Sequence, residues 1–478
     1  MAEERLERRV ATGVAWSFSE KLLTMIIQMV VSIVVARELM PEDFGVMAIM
    51  TFFTSVALTI VDSGFSQTLI RKSDPTDADY ASVLGFNLIT AIILYVVLVA
   101  LSVPIATFYD QPVIADVAPA LFLLLPINAL CVVQTVMFTR ELRFKLLSEI
   151  VFSASLISGV VAIVMAFMGC GIWALVAQRL LMMAIKALAF WYIRRWRTTQ
   201  PASMASLRAM APFSLRLLAT DLVASIYNNV AQLFIGKVYS THSLGYYSQA
   251  QKLKDLPVLS TVQAVQGVTY PALSRMGDDR GRLAEEYMRI VRMLGFVIFP
   301  AMLGLIAIAP EMFMLLLGEK WMPTVPYFEI LALAGLTYPL AVVSYNILKV
   351  LSDGRVILRL EIVKRVIMTL ILVYTIPQGI ESIAWGMSAM ALVEFFINGF
   401  AACRYLKIGF ARVMLSIAPS LLLAATMFVA LWYGRDVVAD LGVGTRLITM
   451  ILSGALIYAL LSLIFRLRAL KEIKKLRG

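Results

Sequence analysis

Apolar residues run along this chain in fourteen stretches of roughly membrane-spanning length, joined by short polar connections. They fall near 12–36, 44–69, 81–107, 114–138, 148–168, 171–193, 210–236, 248–274, 288–316, 324–348, 356–376, 379–402, 411–433 and 446–465. A helix needs about 20 mostly apolar residues to cross the hydrocarbon core of a bilayer. The pattern therefore predicts an all-α polytopic membrane protein of 14 transmembrane helices with no room for a soluble domain.

The polar connections alternate in charge. Starting from Arg5, Arg8 and Arg9, every second connection is basic, and together these hold 29 Lys and Arg, including Arg194, Arg195, Arg197 and Arg208 and the tail from Arg466 to Arg477. The opposite connections hold three, Lys320, Arg435 and Arg446. The positive-inside rule then places both termini in the cytoplasm and requires an even number of spans. Ten basic residues remain, eight within the spans and two, Arg37 and Lys237, directly at the ends of the first and seventh.

Composition changes this picture little. Hydrophobic residues make up 60% of the chain and mean hydropathy is +0.85, far from a soluble globular protein. The net charge of +11 follows from the basic loops, so it is no signal for nucleic acid, and the basic tail is able to lie on anionic headgroups. Cys131, Cys170 and Cys403 are too widely and irregularly spaced for a metal motif or an obvious disulfide. The first apolar stretch is too long for a signal-peptide core and runs straight on to a second, so the chain is expected to stay in the inner or plasma membrane.

A weak internal repeat accompanies the spans. A shift of 200 positions lays Gln28 on Asn228, Ser32 on Gln232, Arg37 on Lys237 and Gly45 on Gly245; a shift of 212 lays Arg143 on Arg355 and Glu149 on Glu361. Six spans followed by six in the same orientation make a parallel duplication, a device of many transporters. The expected organisation is two pseudo-symmetric six-helix lobes, 1–205 and 206–405, followed by two C-terminal helices and the basic tail in 406–478.

Polar side chains at membrane depth supply the candidate chemistry. Ser17, Glu20, Thr24, Gln28 and Ser32 form one stripe of the first span, and Asp221, Ser225, Asn228 and Gln232 form one stripe of the seventh. Exposing such stripes to lipid is costly, so they are expected to line a polar interior between the lobes; the alternative is that they hydrogen-bond one helix to another. Among cations, Lys21 lies about 18 Å into the membrane at 1.5 Å per residue, Arg179 is similarly deep, and Lys186 and Arg216 lie about 12 Å in. Lys252, Lys254, Lys364 and Arg365 are shallower and are able to snorkel. Arg179 and Lys186 are seven residues apart and share a helix face. Glu20, Asp62, Asp221, Asp255, Glu361 and Glu394 are also within spans and offer internal neutralisation, Lys21 with Asp221 being one candidate pair. Together the cations point to an anionic cargo, because Arg and Lys are natural partners of phosphate oxygens.

Three segments carry a family resemblance: Val14-Ala-Trp-Ser-Phe, then Val35-Ala-Arg-Glu-Leu-Met-Pro-Glu-Asp-Phe-Gly-Val-Met-Ala, and Asp62-Ser-Gly-Phe-Ser-Gln-Thr-Leu-Ile-Arg. The chain resembles Wzx-type polysaccharide flippases, in the colanic-acid branch, of the multidrug/oligosaccharidyl-lipid/polysaccharide exporter superfamily. That resemblance implies a two-lobed V-shaped bundle that moves an undecaprenyl-pyrophosphate-linked oligosaccharide to the periplasmic leaflet by alternating access around a cationic cavity. Arg37, Pro41, Gly45, Asp62 and Gly64 match its pattern and read as structural, with Arg37 and a Pro41/Gly45 turn closing the first helix pair. The expected substrate contacts are Arg179, Lys186, Arg216, Lys364, Lys21 and Lys252. Glu20, Gln28, Asp221, Asn228 and Gln232 would line the cavity, and Asp62 or Glu394 would carry a coupling proton. Partners would be membrane lipids, a polysaccharide polymerase and a chain-length regulator, with no cofactor and no nucleic acid.

Two other functions compete. A multidrug exporter of the same superfamily would need acidic rather than basic residues at depth, against the cations within the spans. A membrane-embedded polymerase or ligase would need a large outer loop bearing catalytic groups, whereas these loops are short and hold a single His242, read as a solvated loop residue. The chain has no Walker A sequence, so ATP-driven transport by this chain alone is unsupported.

Overall fold

Proline, glycine and a few acidic caps set where the helices start and stop. The computed structural model describes residues 23–196, 198–275 and 279–475, and every element among them is helical. The chain divides into two compact units, Met1–Gly245 and Tyr246–Gly478.

Unit 1 begins with α1, described over 23–38, then α2 (Pro41–Asp62), α3 (Phe65–Arg71) and α4 (Asp77–Ala100). Pro41 takes the first position of α2, where its missing N–H is no loss, and Asp43 reaches back to accept from the Met40 backbone N–H at 3.1 Å. Ser63 and Gly64 then turn left-handed, at φ 49° and 70°, and split the predicted 44–69 span into α2 and α3. Thr76 and Asp79 cap α4 reciprocally, with bonds of 3.3 and 2.8 Å. After α5 (Ser102–Phe108) and α6 (Val113–Phe122) come α7 (Leu124–Arg140), α8 (Phe144–Phe167), α9 (Ile172–Ile193) and α10 (Met204–Val238). The unit closes on the first turn of α11 (Thr241–Arg275). One core cluster joins Phe65, Leu69, Val83, Val133, Val136, Met137 and Met210; a second joins Cys131, Phe138, Ile150, Ala187 and Phe190.

Unit 2 takes the rest of α11, then α12 (Arg280–Ala307), α13 (Ala309–Leu316), α14 (Val325–Leu351), α15 (Gly354–Thr375), α16 (Ile380–Leu406), α17 (Phe410–Gly434), α18 (Val443–Ile464) and α19 (Arg468–Lys475). α14 packs along α16, and α12 packs against both α14 and α17. Hydrogen bonds fix the register of these seams, Tyr287 with Ser344 at 2.9 Å and Ser388 to the Ile330 carbonyl at 2.6 Å, and Tyr458 ties α18 to α12 by donating to the Phe296 carbonyl at 3.0 Å. With no water in the hydrocarbon, such polar partners must be found internally. The Arg292–Glu472 ion pair, at 2.6 Å, ties α19 to α12.

All fourteen predicted stretches fall on helices, the first described only from residue 23. Eleven helical segments among the described residues are long and apolar enough to cross a membrane. The 248–274 and 356–376 stretches lie in α11 and α15, which fall short for different reasons: α15 carries Arg359, Glu361, Lys364 and Arg365, whereas the uncharged part of α11 is diluted by Pro257, Gln263, Gln266 and Pro271. The count of 14 is thus an expectation that rests on pattern as well as apolarity.

Candidate functional site

Whether a cation at membrane depth serves structure or a ligand depends on whether an anion of the protein already answers it. In unit 1, α9 carries Arg179 and Lys186 on one face. Arg179 is half-buried, and among the described residues its guanidinium makes no hydrogen bond or ion pair. Lys186 is also half-buried; its ammonium lies 5.5 Å from the centre of the Phe190 ring, and Cys131 of α7 sits in its field. Its face of α9 therefore turns toward α7 and the protein interior. Arg216 on α10 is exposed and its side chain likewise lacks a partner among the described residues.

The polar stripes are divided by the packing. Gln28, Asp221 and Asn228 are exposed and Gln232 is half-buried, whereas Thr24 and Ser32 are buried. Ser225 reaches Ser55 of α2 at 3.4 Å. Asp62 is the last residue of α2: one carboxylate oxygen accepts from Ser66 at 2.9 Å, and the other is buried without a donor, in the field of Asp221. Glu20 and Lys21, with the expected Lys21–Asp221 pair, lie outside the described residues, as does Ser17.

Unit 2 treats its charges differently. Lys364 is only 4% exposed; it pairs with Glu361, one helical turn back on α15, and covers the Tyr345 ring at 5.3 Å. Arg365 shares the same Glu361 at 3.6 Å. Glu394 on α16 faces the field of Lys364, Glu361 and Arg365 but makes no hydrogen bond or ion pair among the described residues. Lys254 pairs with Asp255 at 2.6 Å, and Lys252 is exposed. The expected cationic lining is thereby divided: Lys364 is an internal ion-pair partner, while Arg179, Lys186 and Arg216 keep unanswered charge.

Two constellations were not anticipated as such. Gly45 lies inside α2 rather than in a turn, and a Cβ there would sit 1.8 Å from the Thr241 carbonyl oxygen; a Cβ on Gly245 would sit 1.8 Å from the Pro41 carbonyl oxygen. The starts of α2 and α11 therefore cross backbone to backbone through two glycines that the 200-residue register had aligned. Gln111 clasps the crossing by donating to both Glu42 and Thr241 at 2.8 Å, and Thr241 donates to Glu42 at 3.3 Å. His242, expected in a loop, is an exposed residue of this first turn of α11. In unit 2, buried Glu311 accepts from Arg435 at 3.0 and 2.8 Å and pairs with Arg446 at 2.9 Å. Two of the three basic residues on that side of the pattern are consumed by one carboxylate.

An all-helical bundle that holds ionic side chains at the depth of its apolar spans has the make-up of a polytopic membrane transporter. The chain belongs to the polysaccharide biosynthesis protein family, whose pattern it matches over residues 34–326. It is 26% identical to the teichuronic acid biosynthesis protein TuaB of Bacillus subtilis (strain 168), with 88% of each chain covered. It is 25% identical to the succinoglycan biosynthesis transport protein ExoT of Rhizobium meliloti (strain 1021), covering 98% of this chain and 97% of the relative. The lipopolysaccharide biosynthesis protein WzxC of Escherichia coli (strain K12) is 23% identical over 69% of this chain and 68% of its own. The fold is that of the lipid II flippase MurJ in an inward closed conformation, at a TM-score of 0.75 and 16% identity over 94% of this chain and 98% of the other. It is shared by a multidrug resistance MATE family transporter of the MOP superfamily, at a TM-score of 0.63 and 15% identity over 80% and 94%. The Wzx-type resemblance drawn from the first two spans is thus matched by family, relatives and fold.

Proposed function

We propose that this chain is a flippase that moves an undecaprenyl-pyrophosphate-linked oligosaccharide from the cytoplasmic to the outer leaflet of the inner membrane by alternating access. Both termini are cytoplasmic, and the sequence duplication builds two six-helix lobes that rock about the cargo. The observation that carries the reading is Arg179, a half-buried guanidinium at span depth with no protein partner among the described residues. A charge held in the membrane is costly unless something answers it, and a planar guanidinium fork suits phosphate oxygens. The paired state of Lys364, Arg365 and Arg435 supports this assignment, because in each of those cases a carboxylate lies within 4 Å.

Arg216, exposed on α10, draws the anionic headgroup in, and the amides of Gln28, Asn228 and Gln232 donate in place of part of its hydration, on the polar stripe that also carries Asp221. Asp62 and Glu394 are the coupling carboxylates: each has at least one oxygen without a donor and would bind a proton when a nearby cationic cargo contact changes. Polymerase and chain-length regulator act downstream. A drug-cation exporter is disfavoured because three cations, Arg179, Lys186 and Arg216, stand without a carboxylate partner among the described residues.

The test is Arg179→Ala beside Arg179→Lys in cells that depend on this chain for surface polysaccharide. Loss of polysaccharide with the lipid-linked precursor retained on the cytoplasmic face, at normal membrane abundance, is the expected outcome, with partial recovery by Lys. Normal polysaccharide from Arg179→Ala would remove the reading.

A further inference from the structure

We infer that Lys186 binds an acidic group on the sugars of the cargo while Arg179 holds the pyrophosphate, so that the oligosaccharide moved by this chain is itself anionic. This rests on the flippase reading above and adds a specificity-determining residue to it. Two features of α9 carry the inference.

The first is separation. Seven residues of helix put the two Cα atoms about 10.5 Å apart along the axis, at 1.5 Å per residue. The Lys186 ammonium lies 5.5 Å from the centre of the Phe190 ring, a residue of the next turn on the side away from Arg179. A pyrophosphate concentrates its charge on two adjoining phosphoryl groups, a span no longer than one helical pitch of about 5.4 Å. One such headgroup on Arg179 leaves Lys186 unanswered.

The second feature is that Lys186 has a resting place and no counter-ion. Neither hydrogen bond nor ion pair engages its ammonium among the described residues. A cation–π contact contributes only about 0.5–2 kcal/mol, less than a buried ammonium needs. Where this chain buries most of a lysine side chain for structure it supplies a carboxylate, as Glu361 does for Lys364 and Asp255 for Lys254. Lys186 instead sits on the α7-facing side of α9, half-buried, as a single compact point charge. A lone carboxylate, such as that of a uronic acid or of a carboxyl-bearing substituent, is the group such a charge fits. The two cations on one helix face then measure the cargo: a forked donor at the pyrophosphate and a point charge at an acidic sugar beyond it.

The experiment uses the purified full-length chain in proteoliposomes. Two polyprenyl-pyrophosphate trisaccharides are supplied that differ at one sugar only, glucuronic acid in one and glucose in the other. Lys186→Met should slow translocation of the acidic substrate roughly tenfold or more, the loss of one charge-assisted hydrogen bond, and leave the neutral one within about twofold. Lys186→Arg should restore the acidic rate. Equal slowing of both substrates, or slowing of neither, overturns the inference, and a drop in melting temperature with loss of both assigns Lys186 to structure. Arg179→Ala should stop both substrates; if it stops neither, the flippase reading falls and not merely the role of Lys186.

Discussion

Gly45→Ala tests the backbone crossing between α2 and the first turn of α11. The new methyl would be built 1.8 Å from the Thr241 carbonyl oxygen, 2.6 Å from its carbon and 3.1 Å from its Cα. Ordinary carbon–oxygen contact lies well beyond 3 Å, and the obstacle is backbone, so no rotamer change relieves it and the segments must part by more than 1 Å. Overpacking of this kind costs about 1–3 kcal/mol. Parting also releases the three bonds among Glu42, Gln111 and Thr241, each contributing about 1 kcal/mol. Alanine returns about 1 kcal/mol through its higher helix propensity, which is too little to reverse the sign. A net loss of about 3 kcal/mol changes the population of the crossed arrangement by about two orders of magnitude. The assay is thiol labelling of Leu244→Cys, in the same first turn of α11 and outside those bonds, with the three native cysteines replaced: Leu244 is 0% exposed, so a membrane-impermeant maleimide should react slowly, and Gly45→Ala should accelerate it at least tenfold. Gly245→Ala should behave alike, since its methyl meets the Pro41 carbonyl oxygen at the same 1.8 Å. Unchanged labelling with an unchanged melting temperature would refute the argument, because no real backbone tolerates that approach.

Other outcomes follow from the ion pairs and the topology. Glu361→Leu, which strands the buried Lys364 and half-buried Arg365, should lower stability by about 2–3 kcal/mol, and Lys364→Met in the same chain should recover part of the melting temperature, the rest being held back by the unanswered Arg365; additive losses would show that the two do not couple. Glu311→Ala strands Arg435 and Arg446 against each other, and about 3 kcal/mol of stability should be lost, whereas Arg446→Ala, leaving the hydrogen-bonded Arg435 in place, should cost clearly less in the same thermal melt. A cysteine at Ser243 should label from the outer side and one at Thr199 from the cytoplasm, following the 29 to 3 division of basic residues between alternate connections; the reverse would invert the topology.

Much of the fold was legible in the residues because partition into a bilayer is a local property of a run of side chains. The spans near 148–168, 171–193, 411–433 and 446–465 correspond to α8, α9, α17 and α18 with boundaries within a few residues. Breaks inside longer spans were missed, as at Ser63–Gly64, because two left-handed residues interrupt a helix without interrupting its apolarity. The resemblance carried by residues 35–48 and 62–71 was enough to point to the family now matched over 34–326.

The site was legible only in part. Sequence determined which charges lie at membrane depth, and the 200-residue register set Gly45 beside Gly245 on paper. It did not show that these glycines let the two backbones touch, nor that Gln111 clasps them. Lys364 and Glu361, three positions apart, carried a local sign of pairing; Arg435 and Glu311 lie 124 residues apart and carried none. Arg179 looked no different in kind from Lys364 until the neighbours of each were placed. The reason is range: hydrophobic partition acts on every segment separately, whereas neutralising a charge needs a carboxylate within about 4 Å, and only the packing of distant helices decides which cations receive one and which are left for a ligand.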